Sequence, residues 1–138
     1  MKRPEQAIHQ AVVAHLNARA EPCFWWHTPN EGKRGFVNAA ALKAMGMTAG
    51  VPDLLILKDG ALYAIEFKAP GGRLTPSQRL VLDRLRDCGA MAVVAFSIDE
   101  ALVTLEYWGI LKRSVASAST QTAGEEEHGN RTQLERSA

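Results

Sequence analysis

Residues 50–68 read GVPDLLILKDGALYAIEFK. Two apolar runs flank Asp59-Gly60, a dipeptide that tolerates the positive φ angles of a type I′ turn, so the stretch predicts a two-residue β-hairpin. With that turn, Lys58 faces Ala61, Leu55 faces Ala64, and Asp53 faces Glu66. The hairpin is apolar on both sides. Leu54, Ile56, Tyr63, Ile65 and Phe67 share one face, and Leu55, Leu57, Leu62 and Ala64 share the other.

A sheet apolar on both faces needs cover on both. Pro4 suits a first helical position, and Ile8, Val12 and Leu16 follow it at helical spacing. Residues 24–28 are aromatic and β-prone, predicting a strand. The following PNEGKRG is a loop by its Pro, Asn and Gly content. Residues 37–45 predict a short helix stopped by Gly46. Thr75-Pro76-Ser77-Gln78 fits a capping box with Pro at the first helical position, and Leu82 and Leu85 supply the inner face of the helix it opens. Residues 90–96 are an apolar run of strand length. Ser97-Ile98-Asp99-Glu100 is a second capping box, opening a last helix to about Tyr107. The predicted class is α/β: a three-layer sandwich, with a mixed central β-sheet flanked by helices. The first and third helices are its two covers.

The 138-residue chain is 46% hydrophobic and 22% charged, ordinary for a globular protein. Its net charge of +1 excludes a global polycation, so any nucleic-acid binding rests on a local patch. Cys23 and Cys88 form no zinc-spaced cluster and fit a reducing compartment. No run approaches the roughly 18 apolar residues of a membrane span, and MKRPEQAIHQ has no apolar signal region. These features predict a cytoplasmic protein with no membrane partner. Residues 113–138 are rich in Ser, Thr, Ala and Glu and too poor in large apolar residues to offset their ordering entropy. The expected organisation is a folded domain over 1–112 and a disordered polar tail over 113–138.

The hairpin register carries the chemistry. Opposed like charges destabilise a sheet, so a partly buried Asp53–Glu66 pair either shares a proton or binds a cation. Lys68, two residues beyond Glu66, points to the same face. Two carboxylates and an ammonium at one strand end suit Mg²⁺, with the Phe67 backbone carbonyl as a further ligand. The lysine can then orient or deprotonate water, or stabilise charge developing on phosphorus. The competing possibility is a surface salt bridge, but one ion pair needs only one carboxylate. Glu5 either complements its helix dipole or joins this rim. Gln78 either closes its capping box or braces the same site.

Pro52-Asp53 followed by Glu66-Phe67-Lys68 resembles the PD-(D/E)xK signature of metal-dependent nucleases. Taken with Glu5, His27-Thr28-Pro29-Asn30-Glu31-Gly32-Lys33, Gly50-Val51 before the Pro-Asp, and Leu74-Thr75-Pro76-Ser77-Gln78, the pattern resembles the VRR-NUC (virus-type replication-repair nuclease) family over about residues 3–100. The resemblance implies a restriction-endonuclease-like core and a DNA endonuclease using Mg²⁺ or Mn²⁺. It implies Asp53, Glu66 and the Phe67 carbonyl as metal ligands, and Lys68 as the residue that positions water. Glu5 would assist metal or water, and Gln78 would brace the site. Compact relatives often act as homodimers on branched DNA such as four-way (Holliday) junctions; phage replication, recombination, packaging and DNA repair all stay open as the pathway of this chain.

Asn30, Lys33, Arg34 and Arg73 then become candidate phosphate contacts, which position DNA without reading its sequence; otherwise they are solvated basic loop residues. His27 is either a phosphate contact or a histidine at the core edge. Trp25, Trp26 and Trp108 are expected in the core or a dimer interface. The alternative function is a non-catalytic or partner-dependent DNA-binding subunit of a replication or recombination complex.

Overall fold

The hairpin forms in the predicted register. β2 (Leu54–Lys58) pairs antiparallel with β3 (Ala61–Phe67), with Lys58 opposite Ala61 and Leu54 opposite Ile65. Asp59 (φ 50°) and Gly60 (φ 78°) both sit on the positive side that a type I′ turn requires. The computed structural model describes residues 3–29 and 36–114. Asn30, Lys33 and Arg34 lie outside them, as does the predicted tail beyond Ser114; Arg113 and Ser114 belong to no helix or strand.

β1 (Phe24–His27) adds antiparallel to β2, and β4 (Met91–Ala95) adds parallel to β3. The sheet is therefore mixed, in the order β1-β2-β3-β4. A parallel pair needs a crossover, and α3 (Pro76–Asp87) supplies it. Ile8, Val12 and Leu16 of α1 (Pro4–Arg19) bury against Leu54, Ile56, Ile65 and Phe67. Ala101 and Leu105 of α4 (Ile98–Tyr107) close the same cluster. On the other face, Leu82 of α3 meets Leu55, Ala64 and Ala92. The three layers are thus α1 with α4, the sheet, and α3. Trp25 and Trp108 pack on the first cluster and Trp26 on the second, which places all three tryptophans at the core.

Two expectations need correction. Cover on the α3 side stops short of the hairpin turn: Leu57 is 44% exposed and its β1 partner Phe24 is 67% exposed. The second capping box is only half formed. Ser97 Oγ accepts the Glu100 N–H, but Glu100 Oε2 accepts the N–H of Phe96 instead of that of Ser97. At α3 both arms of the box close. α2 (Phe36–Ala44) ends before Gly46, whose φ of 94° stops it, and its residues 38–41 are exposed. No described helix is long and apolar enough to cross a membrane.

Candidate active site

Asp53 lies one residue beyond the last β2–β3 pair, opposite Glu66 if the register is continued. The chain bends there, and the aspartate side chain takes over from the ladder: Oδ2 accepts the Phe67 N–H at 3.0 Å. Its carbonyl accepts the Thr28 N–H at 2.9 Å and lies 2.8 Å from His27 Nδ1. A carbonyl oxygen only accepts, so His27 carries its proton on Nδ1. Three strand ends therefore meet at one aspartate.

Glu66 is buried, at 2% exposure, on the α3 face of β3. Gln78 Nε2 donates to its Oε1 at 2.9 Å, and Lys68 Nζ lies 3.9 Å from the same oxygen. Its Oε2 is buried with no hydrogen-bond partner among the described residues. Burial raises the Glu66 pKa from 4.5 to about 7, and the Asp53 charge pushes the same way. The Lys68 ammonium and the Asp53 main-chain N–H oppose this, and Glu5 adds a smaller push upward. A carboxylate that is buried, crowded by a like charge and short of one partner is poised for a proton or a cation.

Gln78 does both jobs that its position suggested. Its Oε1 accepts the Thr75 N–H at 2.9 Å, closing the capping box. That leaves the amide nitrogen facing Glu66. Lys68 is mostly buried and directed at Glu66, as the strand alternation required. Glu5 reaches the end of β3 from the first helix, where Oε1 accepts the Ala69 N–H at 3.5 Å. Among the described residues no three His, Cys, Asp or Glu side chains form a metal-holding group. Glu5 stands at the end of β3, near enough to Glu66 to push its pKa upward. Arg73 is exposed in the loop after β3. His27 is held at the site by Asp53 while remaining exposed.

Two residues outside the predicted set belong to this end of the sheet. Gly50 has φ 86°, and a Cβ there would lie 2.5 Å from the Ser77 carbonyl group. The loop leading into Asp53 is thus pressed against the first turn of α3, which carries Gln78. The motif Gly50-Val51-Pro52-Asp53 hints at this only as spelling, because the contact is made between distant segments. His9, one turn after Glu5 on α1, sets its ring against those of His27 (centroids 4.6 Å apart) and Phe67 (4.8 Å). Burial lowers the His9 pKa, and His27 lowers it further against an opposing pull from Asp53. Its spacing from Glu5 was the available signal.

The donor set fits a hard divalent cation. Asp53 and Glu66 offer carboxylate oxygens, the orphaned Glu66 Oε2 lacks a positive partner, and the Phe67 carbonyl lies between Glu66 and Lys68 in sequence. A mixed α/β sheet whose strand ends gather an aspartate, a buried glutamate and a lysine, braced by a glutamine from the facing helix, defines a nuclease-type domain. The VRR-NUC domain model matches residues 3–98, and the chain belongs to that family. Two solved structures named for this domain share the fold. One is 20% identical, covering 78% of this chain and 99% of its own, with a TM-score of 0.55. The other is 25% identical, covering 77% and 96%, also with a TM-score of 0.55. The core is restriction-endonuclease-like. The comparison with curated proteins gives no match.

Proposed function

We propose that this chain is a metal-dependent, structure-selective endodeoxyribonuclease that hydrolyses phosphodiester bonds in branched DNA such as four-way junctions. The observation that carries it is Glu66: a buried carboxylate facing Asp53, touched by Lys68 and Gln78, with one oxygen left without a partner. A purely structural glutamate would have both oxygens paired or solvated.

Asp53, Glu66 and the Phe67 carbonyl would hold the cation, Mg²⁺ or Mn²⁺, which when bound lowers the pKa of water and screens phosphate charge. The protein's own part is positioning and electrostatics. Gln78 fixes the orientation of the Glu66 carboxylate. Lys68 holds a positive charge beside it, where it can orient the attacking water and stabilise the charge growing on the phosphoryl oxygens. Glu5 adds negative charge at the rim. His27, Arg73 and the loop residues Asn30, Lys33 and Arg34 are the proposed phosphate contacts.

A homodimer is supported by apolar surface that the monomer leaves open. Phe24 and Leu57 face each other, exposed, beside the edge strand β1, and α2 exposes its alanines at 39–41. Two sites on a dimer suit a substrate with paired strands to cut.

The test is a panel of labelled DNAs: four-way junction, 5′ flap, splayed arm, duplex and single strand, each with Mg²⁺, Mn²⁺ or EDTA. The parent should cut the junction with metal and not in EDTA, and Asp53→Ala should not cut. Undiminished cutting by Asp53→Ala would overturn the assignment. Junction binding without cleavage under any metal would replace it with a DNA-binding subunit that needs a partner.

A further inference from the structure

We propose that His9 is a positioning residue whose ring locks Asp53 in place through His27 and Phe67. This inference rests on the nuclease function proposed above. Asp53 sits outside both ladders: β1–β2 pairing ends at His27 opposite Leu54, and β2–β3 pairing ends at Leu54 opposite Ile65. Chain beyond the last ladder pair opens easily. Two of the bonds that restrain it come from His27 Nδ1, on the Asp53 carbonyl, and from the Phe67 N–H, on Oδ2.

His9 is wedged against the rings of these same two residues. It meets His27 at 75°, near edge-to-face, and Phe67 at a 33° tilt. Both contacts fall within the spacing at which aromatic rings attract one another. No hydrogen bond reaches the His9 ring from the described residues, so its part is that of a flat wedge. It is anchored by α1, whose neighbouring Ile8 and Val12 are buried in the core. If His27 swings away, the Asp53 carbonyl loses a donor. If the Phe67 ring moves, its main chain moves with it, and both the N–H on Asp53 and the proposed carbonyl ligand shift. Misplacement of a reacting group by about 1 Å is enough to cost a large factor in rate.

The experiment compares the full chain with His9→Phe and His9→Leu. Phe restores a flat ring, and Leu keeps apolar volume without one. The readouts are kcat and KM on the cleaved DNA, the melting temperature, and ¹⁵N NMR of the His27 imidazole. His9→Leu should lower kcat by about tenfold with KM unchanged, and should shift the hydrogen-bonded His27 Nδ1 resonance. His9→Phe should stay within about threefold of the parent and keep that resonance. Equal losses in both variants would overturn the wedge and assign the imidazole a chemical role. Parent-like kcat and an unmoved His27 signal in His9→Leu would remove His9 from the site altogether. If the parent cuts no DNA, the proposed nuclease function fails, while the His27 resonance still decides the wedge.

Discussion

Helices α3 and α4 begin with the same four-residue pattern, a hydroxyl followed three positions later by a Gln or Glu, and they use it differently. At α3, Gln78 accepts from the Thr75 main chain and donates to Glu66. At α4, the Glu100 carboxylate accepts from the Phe96 main chain, and a carboxylate has no proton to donate onward. The difference is chemical. An amide presents an acceptor and a donor at one tip, whereas a carboxylate presents two acceptors. Only the amide can cap a helix with one atom and hold a buried carboxylate with the other. The helix start that serves the site carries glutamine, and the one that serves only the fold carries glutamate.

Exchanging that chemistry is the strongest way to break the contrast. Gln78→Glu keeps an acceptor for the Thr75 N–H but sets a carboxylate against Glu66. Cleavage should fall by about a thousandfold, and single-turnover rates on junction DNA would show it. A variant as fast as the parent would mean that the Gln78–Glu66 bond plays no part in the reaction.

Glu66 itself sharpens the contrast through pH. Its carboxyl titrates near 7 in the fold, against 4.5 ordinarily. Below about 4.5 both folded and unfolded chains hold the proton, and burial costs no ionisation. As pH rises, the unfolded chain releases its proton first, so the folded state loses stability across that window. Above about 7 the penalty is complete, on the order of 3 kcal/mol. Glu66→Gln has no proton to lose and still offers an oxygen to Gln78. In EDTA it should be no more stable than the parent at about pH 4, and more stable by about 3 kcal/mol at about pH 8. Its cleavage should be abolished. Urea titrations at both pH values test this, and a difference that does not change with pH would mean Glu66 is not strained.

Gly50→Ala tests the loop that presses on the start of α3. The positive φ and the 2.5 Å approach to Ser77 leave no room for a methyl group. We expect a loss of about 2 kcal/mol in urea unfolding, together with slower cleavage, because Asp53 and Gln78 are set by the same contact. The smallest effects should come from the caps. Ser97→Ala and Thr75→Ala should each cost about 1 kcal/mol. Only Thr75→Ala should also slow cleavage, since only its helix start reaches the site.

Much of the fold was legible because it depends on local rules. Asp59-Gly60 defined the turn, and with it the pairing of Leu54 with Ile65 and the approach of Asp53 to Glu66. Thr75-Pro76 marked where α3 begins, and alternation put Lys68 beside Glu66. The uncovered pair Phe24–Leu57 was not legible, since apolar spacing shows which face a residue takes and not how far a helix extends over it. His9 was missed because it lies on α1 and its partners, His27 and Phe67, come from two different strands.

The element order, the hairpin register and the spacing that brings Asp53, Glu66 and Lys68 to one strand end follow from the chain's own local rules. Turn chemistry and side-chain alternation act over a few residues and need no knowledge of the rest. It took the packed fold to show that Glu66 is buried with an oxygen unpartnered among the described residues, that Gln78 bonds Thr75 and Glu66 at once, that Gly50 must lack a side chain, and that His9 is wedged against His27 and Phe67. Each of these depends on where a helix is seated on the sheet. That seating is settled by the packing of two hydrophobic clusters, and no short stretch of sequence contains it.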